Sequence, residues 1–186
     1  MSQVAFIEKA RTEKMYFVAF DGAHQTATVL GKKYSHKGRE TYTVTLDGAT
    51  RSIRCTCMSF KFKASREGTS CKHICFVLLK VVKLASASRF FAASPQKLSA
   101  REARTVVDAL QAAVGSRPSG FNCGRTDLNF LEDKCPICYD VLGDRARCAF
   151  CPDCKNAVHA ECIVIWLEVQ RKCVYCRSAT WDDFTR

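Results

Sequence analysis

From Cys135 onward, thiols and one imidazole recur in four pairs, each with two residues between its members: Cys135 and Cys138, Cys151 and Cys154, His159 and Cys162, Cys173 and Cys176. Structural zinc takes four such donors in a tetrahedron, and a two-residue spacing lets both members of a pair reach one ion from a tight turn. Eight donors saturate two ions and leave no open position for a catalytic zinc, so no catalytic residue is assigned. All eight fall within 42 residues, a segment too short for a proper hydrophobic core. Metal must replace it.

A second constellation lies upstream. Cys55-Thr56-Cys57 is followed after thirteen residues by Cys71-Lys72-His73. Two residues apart in a strand, Cys55 and Cys57 point to one face, and the first turn of a following helix offers Cys71 and His73 from the other side. A third zinc is the expectation. The alternative is plain burial, since free cysteine is among the most buried residue types. Cys75 falls in a helical apolar run and reads as core. Cys123 has no partner at usable spacing and reads as an ordinary thiol.

The elements that must position these ligands can be read in order. A short helix over about Gln3–Lys14 leads to a strand over Met15–Phe20, an Asp21-Gly22 turn and a second strand over Thr26–Leu30. The polar, basic stretch Gly31–Glu40 reads as a loop. Thr41–Leu46, a two-residue Asp47-Gly48 turn and Ala49–Arg54 read as a hairpin that delivers Cys55. A helix over Cys71–Leu84 places Ile74, Val77, Leu78 and Val81 on one face. Ser99 and Glu102 form a capping box ahead of a helix over Ala100–Val114, after Pro95 in an Ala/Ser-rich stretch. Gly115–Gly120 has the punctuation of a linker. The expected domains are 1–114, with its core at 41–84, a linker over 115–132, and a zinc domain over 133–180. The fold class expected is small zinc-stabilised α+β.

With 47% hydrophobic and 25% charged residues in 186, the chain has the composition of a globular protein. Its longest apolar run, Ile74–Leu79, is far short of the roughly 20 residues of a membrane span, so no membrane partner is expected. No signal-peptide pattern opens the chain, and an odd count of thirteen cysteines paired with histidines suits thiolates on metal in a reducing, intracellular compartment, cytoplasmic or nuclear. The charge is uneven. Residues 1–115 hold 19 of the 29 Lys and Arg and 8 of the 18 acidic residues, a net of +11, while residues 116–186 are neutral. Three zinc ions on ten thiolates and two histidines would bring the whole chain to about +7.

The hairpin, Cys-x-Cys, spacer, Cys-x-His and helix resemble the SWIM zinc domain, a ββα arrangement. The eight downstream ligands resemble a RING finger. PHD fingers share the ligand order, but they carry a Trp two residues before the seventh ligand, where this chain has Arg171, and the ten residues between Cys162 and Cys173 are fewer than that family uses. Cys148 stands before Cys151 with two residues between them and is a rival partner for it. The run Cys151-x2-Cys154-x-Asn156-x2-His159-x2-Cys162 resembles the RING segment of SWIM-containing proteins and favours Cys154. The RING resemblance implies cross-brace ligation, with Cys135, Cys138, His159 and Cys162 on one ion and Cys151, Cys154, Cys173 and Cys176 on the other.

Together the two motifs resemble SWIM-and-RING ubiquitin ligases over Thr41–Arg177. What the resemblance implies is a RING that docks a ubiquitin-conjugating enzyme charged with ubiquitin, through Ile137, Trp166 and Arg177, while the basic SWIM half recruits a protein substrate. Catalysis in such ligases is by positioning. Val174-Tyr175 departs from the proline many active RINGs have there, and the four-residue gap from Cys154 to His159 is also unusual. Each docking residue has a plainer reading, as packing for Ile137 and Trp166 and as a solvated charge for Arg177. The rival function is a non-enzymatic zinc adaptor that binds nucleic acid. Lys32, Lys33, Lys37, Arg39, Arg51, Arg54, Lys61, Lys63, Arg66 and Lys72 stand near Tyr34, Tyr42, Phe60 and Phe62, and basic and aromatic residues together suit single strands.

Overall fold

Aromatic and β-branched residues from Met15 onward build the scaffold of the first zinc constellation. A computed structural model describes residues 2–32, 39–92, 96–115 and 128–181 and divides the chain into two units, Met1–Ala113 and Val114–Arg186. Lys33, Tyr34, Lys37, Pro95, Cys123 and the linker residues 116–120 lie outside the described residues.

The first unit opens with helix α1 (Gln3–Thr12), capped by the Ser2 hydroxyl, which accepts the N–H of Ala5. Strands β1 (Tyr16–Asp21), β2 (Thr26–Lys32), β3 (Arg39–Asp47) and β4 (Ser52–Cys55) then form one antiparallel sheet in sequence order. Tyr16, Phe17 and Val18 are all buried; because successive strand residues face opposite sides, both faces of the sheet are covered there.

Two expectations about this sheet need correction. Gly31–Glu40 is not wholly loop, because Gly31 pairs with Glu40 and Lys32 with Arg39, so the ladder runs on at both ends of that stretch. The β3–β4 turn is not a two-residue Asp47-Gly48 turn. Asp47 pairs with Ser52, leaving four residues between them. The Asp47 carboxylate explains the longer loop: it accepts the N–H groups of Ala49 and Thr50, both at 3.0 Å, while Arg51, at φ 56°, donates its N–H to the Asp47 carbonyl at 2.7 Å. The Thr50 backbone N–H is the main reason the Asp47 carboxyl is held below its ordinary value.

The helix after Cys71 also differs from expectation. It begins as α2 (Lys72–Phe76) but widens into a π-helical turn over Val77–Val81, closed by Val82 N–H donating to the Val77 carbonyl at 2.9 Å. It stops before Leu84, since Lys83 sits at φ 61°. Ile74, Cys75, Phe76, Val77 and Leu78 are all buried, so the central turn of this helix is enclosed all round, while Lys72, Leu79 and Lys80 toward its ends are half-buried. Cys75 is core, its thiol pushed up to about 12 by burial and accepting from the Gln3 amide at 3.3 Å. Gln3 also accepts the N–H of Ser70 and the Gln96 amide, at 2.8 and 2.9 Å, tying α1 to the segment that enters α2. Lys72 and Glu13 form an ion pair across the same seam.

Helix α3 (Arg89–Ala92) and helix α4 (Ala100–Gly115) complete the unit. The capping box is present. Ser99 Oγ accepts the N–H of Glu102 at 3.2 Å, and Glu102 accepts the N–H of Ser99 at 2.9 Å. Val106 and Leu110, one turn apart, bury the inner face of α4.

In the second unit a short 3₁₀ turn (Arg145–Arg147) leads into hairpin strands β5 (Cys148–Phe150) and β6 (Ala157–His159), followed by helix α5 (Ala160–Val169). Ile137, Ile163, Trp166, Leu167 and Trp181 are buried around them. The Arg145 guanidinium lies 4.9 Å from the Phe150 ring centroid, a cation–π contact on the outer side. No helix among the described residues is long and apolar enough to cross a membrane.

Removing an N-cap hydroxyl leaves a helix-start N–H without its side-chain acceptor, so Ser99→Ala is expected to cost about 1 kcal/mol. Thermal unfolding with zinc in place should show a lower Tm and unchanged zinc content. An unchanged Tm would mean that the cap contributes nothing.

Candidate metal centres

Three of the zinc pairs are built alike, and the backbone does it. In each, the residue after the second cysteine takes a left-handed conformation: Tyr139 at φ 63°, Lys155 at 56° and Arg177 at 63°. That turn sends its N–H back to the carbonyl of the first cysteine, at 2.8 Å from Tyr139 to Cys135, 3.0 Å from Lys155 to Cys151 and 3.1 Å from Arg177 to Cys173. The first cysteine then donates its own N–H to the residue five positions on, Asp140, Asn156 or Ser178, at 2.8 to 3.0 Å. Each pair is thus a closed knuckle presenting two sulfurs to one side. None of the three left-handed positions is glycine. The remaining pair sits on regular structure, His159 ending β6 and Cys162 in the first turn of α5.

These elements bring together Cys135, Cys138, His159 and Cys162 in one cluster and Cys151, Cys154, Cys173 and Cys176 in a second, interleaved along the chain; Cys55, Cys57, Cys71 and His73 form a third. Within each, the ligand atoms all lie within 4.8 Å of one another. Zinc–sulfur and zinc–nitrogen bonds of ordinary length place tetrahedral sulfurs about 3.8 Å apart and a sulfur and a nitrogen about 3.6 Å apart. The structure matches that spacing: Cys151 to Cys176 is 3.7 Å, Cys154 to Cys173 3.9 Å, Cys162 to His159 Nδ1 3.6 Å and Cys55 to His73 Nδ1 3.8 Å. Donor chemistry, number and spacing therefore fit three zinc ions. Cys148 belongs to none of the clusters. It pairs with His159 across the β5–β6 hairpin, its Sγ directed to the Asp144 carbonyl at 3.4 Å.

Burial pushes the Cys71, Cys154 and Cys173 thiols above their ordinary value. Thiolates enclosed this way need a cation beside them, and zinc displaces their protons. Surrounding groups orient the ligands. His159 Nε2 faces the carbonyls of Val141 and Leu142 at 3.1 and 3.2 Å, leaving Nδ1 for the metal. The buried Asn156 amide donates to the Cys154 carbonyl at 3.3 Å. His73 is held differently: its ring stacks on Tyr42 with centroids 3.9 Å apart, and its Nε2 is buried against Gly31, where an added Cβ would come within 3.0 Å.

Sequence reasoning missed Gly31, the Tyr42 stack and Trp181. Only proximity in the folded chain reveals the first two, and Trp181 is one aromatic near the end of the described chain with no periodicity to place it. The residues expected on a docking surface are distributed unevenly. Ile137 is fully buried at 0% exposure and Trp166 is 2% exposed, its indole N–H donating to the Lys172 carbonyl at 2.7 Å. Arg177 is half-buried, its guanidinium 6.0 Å from the Trp166 ring centroid. The structure thus brings Arg177 and Trp166 together and keeps Ile137 inside. Val141 and Val164, 42% and 45% exposed, carry apolar surface on this unit.

Comparison with known proteins locates the same segment. Residues 133–177 match the Ring finger domain family. The human protein named RING finger protein 24 is 38% identical over 50 residues, covering 27% of this chain and 32% of its own length. The Arabidopsis thaliana protein named E3 ubiquitin-protein ligase ATL41 is 30% identical over 66 residues, 35% of this chain and 28% of its own. RING-H2 finger protein ATL34, from the same plant, is 26% identical over 76 residues, 41% and 22% respectively. The chain spans less than a third of the length of these curated relatives. No solved structure matches it.

Protein purified without chelator is expected to carry three zinc ions per chain by metal analysis. Cys154→Ser should lose zinc from the second unit and Cys148→Ser should keep all three. Loss of an ion from Cys148→Ser, with Cys154→Ser intact, would reverse the assignment.

Proposed function

We propose that this chain is a RING-type ubiquitin ligase that docks a charged ubiquitin-conjugating enzyme on its second unit and recruits a protein substrate through its basic first unit, which we read as a SWIM domain. The observation that carries this reading is the interleaved pair of four-donor clusters at 135–176 within a segment that matches the Ring finger domain. The name of one relative, E3 ubiquitin-protein ligase ATL41, supports it. Saturated zinc supplies shape and no Lewis acid, so this chain contributes position alone: it holds a flexible thioester conjugate in an attack-ready arrangement. The ligand thiolates suit the reducing interior of the cell, cytoplasm or nucleus.

Of the three docking residues, Arg177 carries the proposal. Its left-handed backbone is set by the third knuckle, and that geometry projects the guanidinium beside the Trp166 ring. On this reading it donates hydrogen bonds there to both the conjugating enzyme and ubiquitin. Ile137 and Trp166, being buried, support this surface from below. Ile137→Ala should therefore act mainly through a cavity, costing about 2–5 kcal/mol of stability. A nucleic-acid adaptor is the outcome if ligase activity is absent.

The test is discharge of ubiquitin from a charged conjugating enzyme, across a panel of such enzymes. Hydrogen bonds to charged groups are worth roughly 1.5–3 kcal/mol, so Arg177→Ala should slow discharge by about 10- to 100-fold with zinc content unchanged. Arg177→Gly separates side chain from backbone. Glycine removes the left-handed penalty of roughly 1–2 kcal/mol, so it should be more stable than Arg177→Ala yet equally slow. Wild-type rates in both variants, alongside loss of folding in Cys173→Ser, would make the RING a scaffold and favour the adaptor.

A further inference from the structure

The first unit has a groove of about 560 Å³ along β4, one of the two edge strands of its sheet. One wall is the polar face of β3 and β4, with the hydroxyls of Thr43, Thr45 and Thr56 and the guanidinium of Arg54, which stands opposite Thr45. The other wall is the chain between Cys57 and Cys71, with Phe60 and Lys61. The same metal cluster fixes both walls, because Cys55 and Cys57 end the first and Cys71 closes the second.

Backbone alternation decides what this groove can read. Thr56 donates its N–H to Thr43 at 3.0 Å, and the two-residue period of an antiparallel ladder then turns the Arg54 amide toward β3 and those of Ile53 and Cys55 away from it. Ile53 and Cys55 both line the groove. At the far end of this edge Arg51 turns its carbonyl the same way and accepts the N–H of Leu98 at 3.0 Å. At its floor the groove therefore offers the backbone donors and acceptors of Ile53 and Cys55, residues 7% and 5% exposed, beside two exposed cations and, among the described lining residues, no carboxylate. Met58 and Phe62, 53% and 59% exposed, add apolar surface on the second wall's chain.

We propose that an extended acidic peptide segment of a partner protein docks here, adding a strand to β4. Acidic side chains meet Arg54 and Lys61, and apolar ones meet Phe60. The edge Ser52–Cys55 is about 13 Å long, room for roughly four residues. A peptide backbone offers both donors and acceptors to Ile53 and Cys55, as strand addition requires, whereas a phosphodiester offers acceptors only. The excess of +11 over residues 1–115 draws any acidic partner to this half. Only the identification of this peptide as the segment by which substrate is recruited rests on the ligase reading; the binding does not.

The probe is a fluorescent peptide of alternating Glu and Val, titrated into the full zinc-loaded chain and compared with a Lys-Val peptide and an oligothymidylate. The acidic peptide should bind and shift the amide resonances of Ile53 and Cys55, the Lys-Val peptide should not bind, and the oligothymidylate should leave those amides unmoved. Arg54→Glu and Lys61→Glu should each weaken peptide binding about tenfold or more, while Arg104→Glu, the same charge change on α4, should not; three zinc ions in each variant show that the fold holds. Absence of peptide binding, equal loss in all three variants, or thymidylate in place of peptide at Ile53 and Cys55 would overturn the proposal. Ubiquitin discharge measured on the same samples separates the two readings: no peptide binding with discharge intact removes the groove alone, and peptide binding with no discharge removes the ligase alone.

Discussion

Four donors from distant parts of the chain closing on one ion is the constraint on which both units depend. In the second unit the first cluster takes Cys135 and Cys138 from before the β5–β6 hairpin, His159 from its last residue and Cys162 from the helix that follows, while the second takes Cys151 and Cys154 from the loop within the hairpin and Cys173 and Cys176 from beyond α5. Neither cluster can close without fixing the path between members of the other. Structural zinc contributes about 10–16 kcal/mol of apparent binding free energy in small zinc-finger peptides, as much as the whole net stability of an ordinary domain. That is why a small core, which includes Ile137, Ile163, Trp166, Leu167 and Trp181, suffices beside it.

The same constraint shapes the backbone at Arg177. Tyr139, Lys155 and Arg177 all occupy left-handed conformations that cost L-residues roughly 1–2 kcal/mol each, and metal ligation offsets that cost at every knuckle. Arg177 differs from the other two in carrying a guanidinium to the rim beside Trp166. A knuckle whose geometry is dictated by metal thus fixes the position of the side chain on which the ligase reading depends. In the first unit, zinc does comparable work by pinning the end of β4 to the start of α2, and it thereby sets both walls of the groove along β4.

How much of this was legible in the sequence follows from how local each signal is. Pairs of ligands two residues apart, the Ser99–Glu102 capping box and the existence of the β3–β4 hairpin are encoded within a few residues, and all can be read directly. The loop length of that hairpin could not, because Asp47-Gly48 suits a two-residue turn and only the longer register lets the Asp47 carboxylate accept two N–H groups. The π-helical turn at Val77–Val81 carries no glycine or proline to announce it. The contact of Gly31 and Tyr42 with His73 depends on residues 31 to 42 positions apart, and the burial of Ile137 depends on packing that a ligand motif does not encode.

Cross-brace ligation is the most consequential claim, and ligand type alone does not test it, since a sequential pairing would also give one four-sulfur ion and one three-sulfur, one-nitrogen ion in the second unit. Proton–cadmium correlation NMR on the cadmium-substituted protein does, because it links each ion to the cysteines bound to it. The four-sulfur ion of the second unit is expected to correlate with Cys151, Cys154, Cys173 and Cys176. Correlation of that ion with Cys135, Cys138, Cys151 and Cys154 would contradict cross-brace ligation.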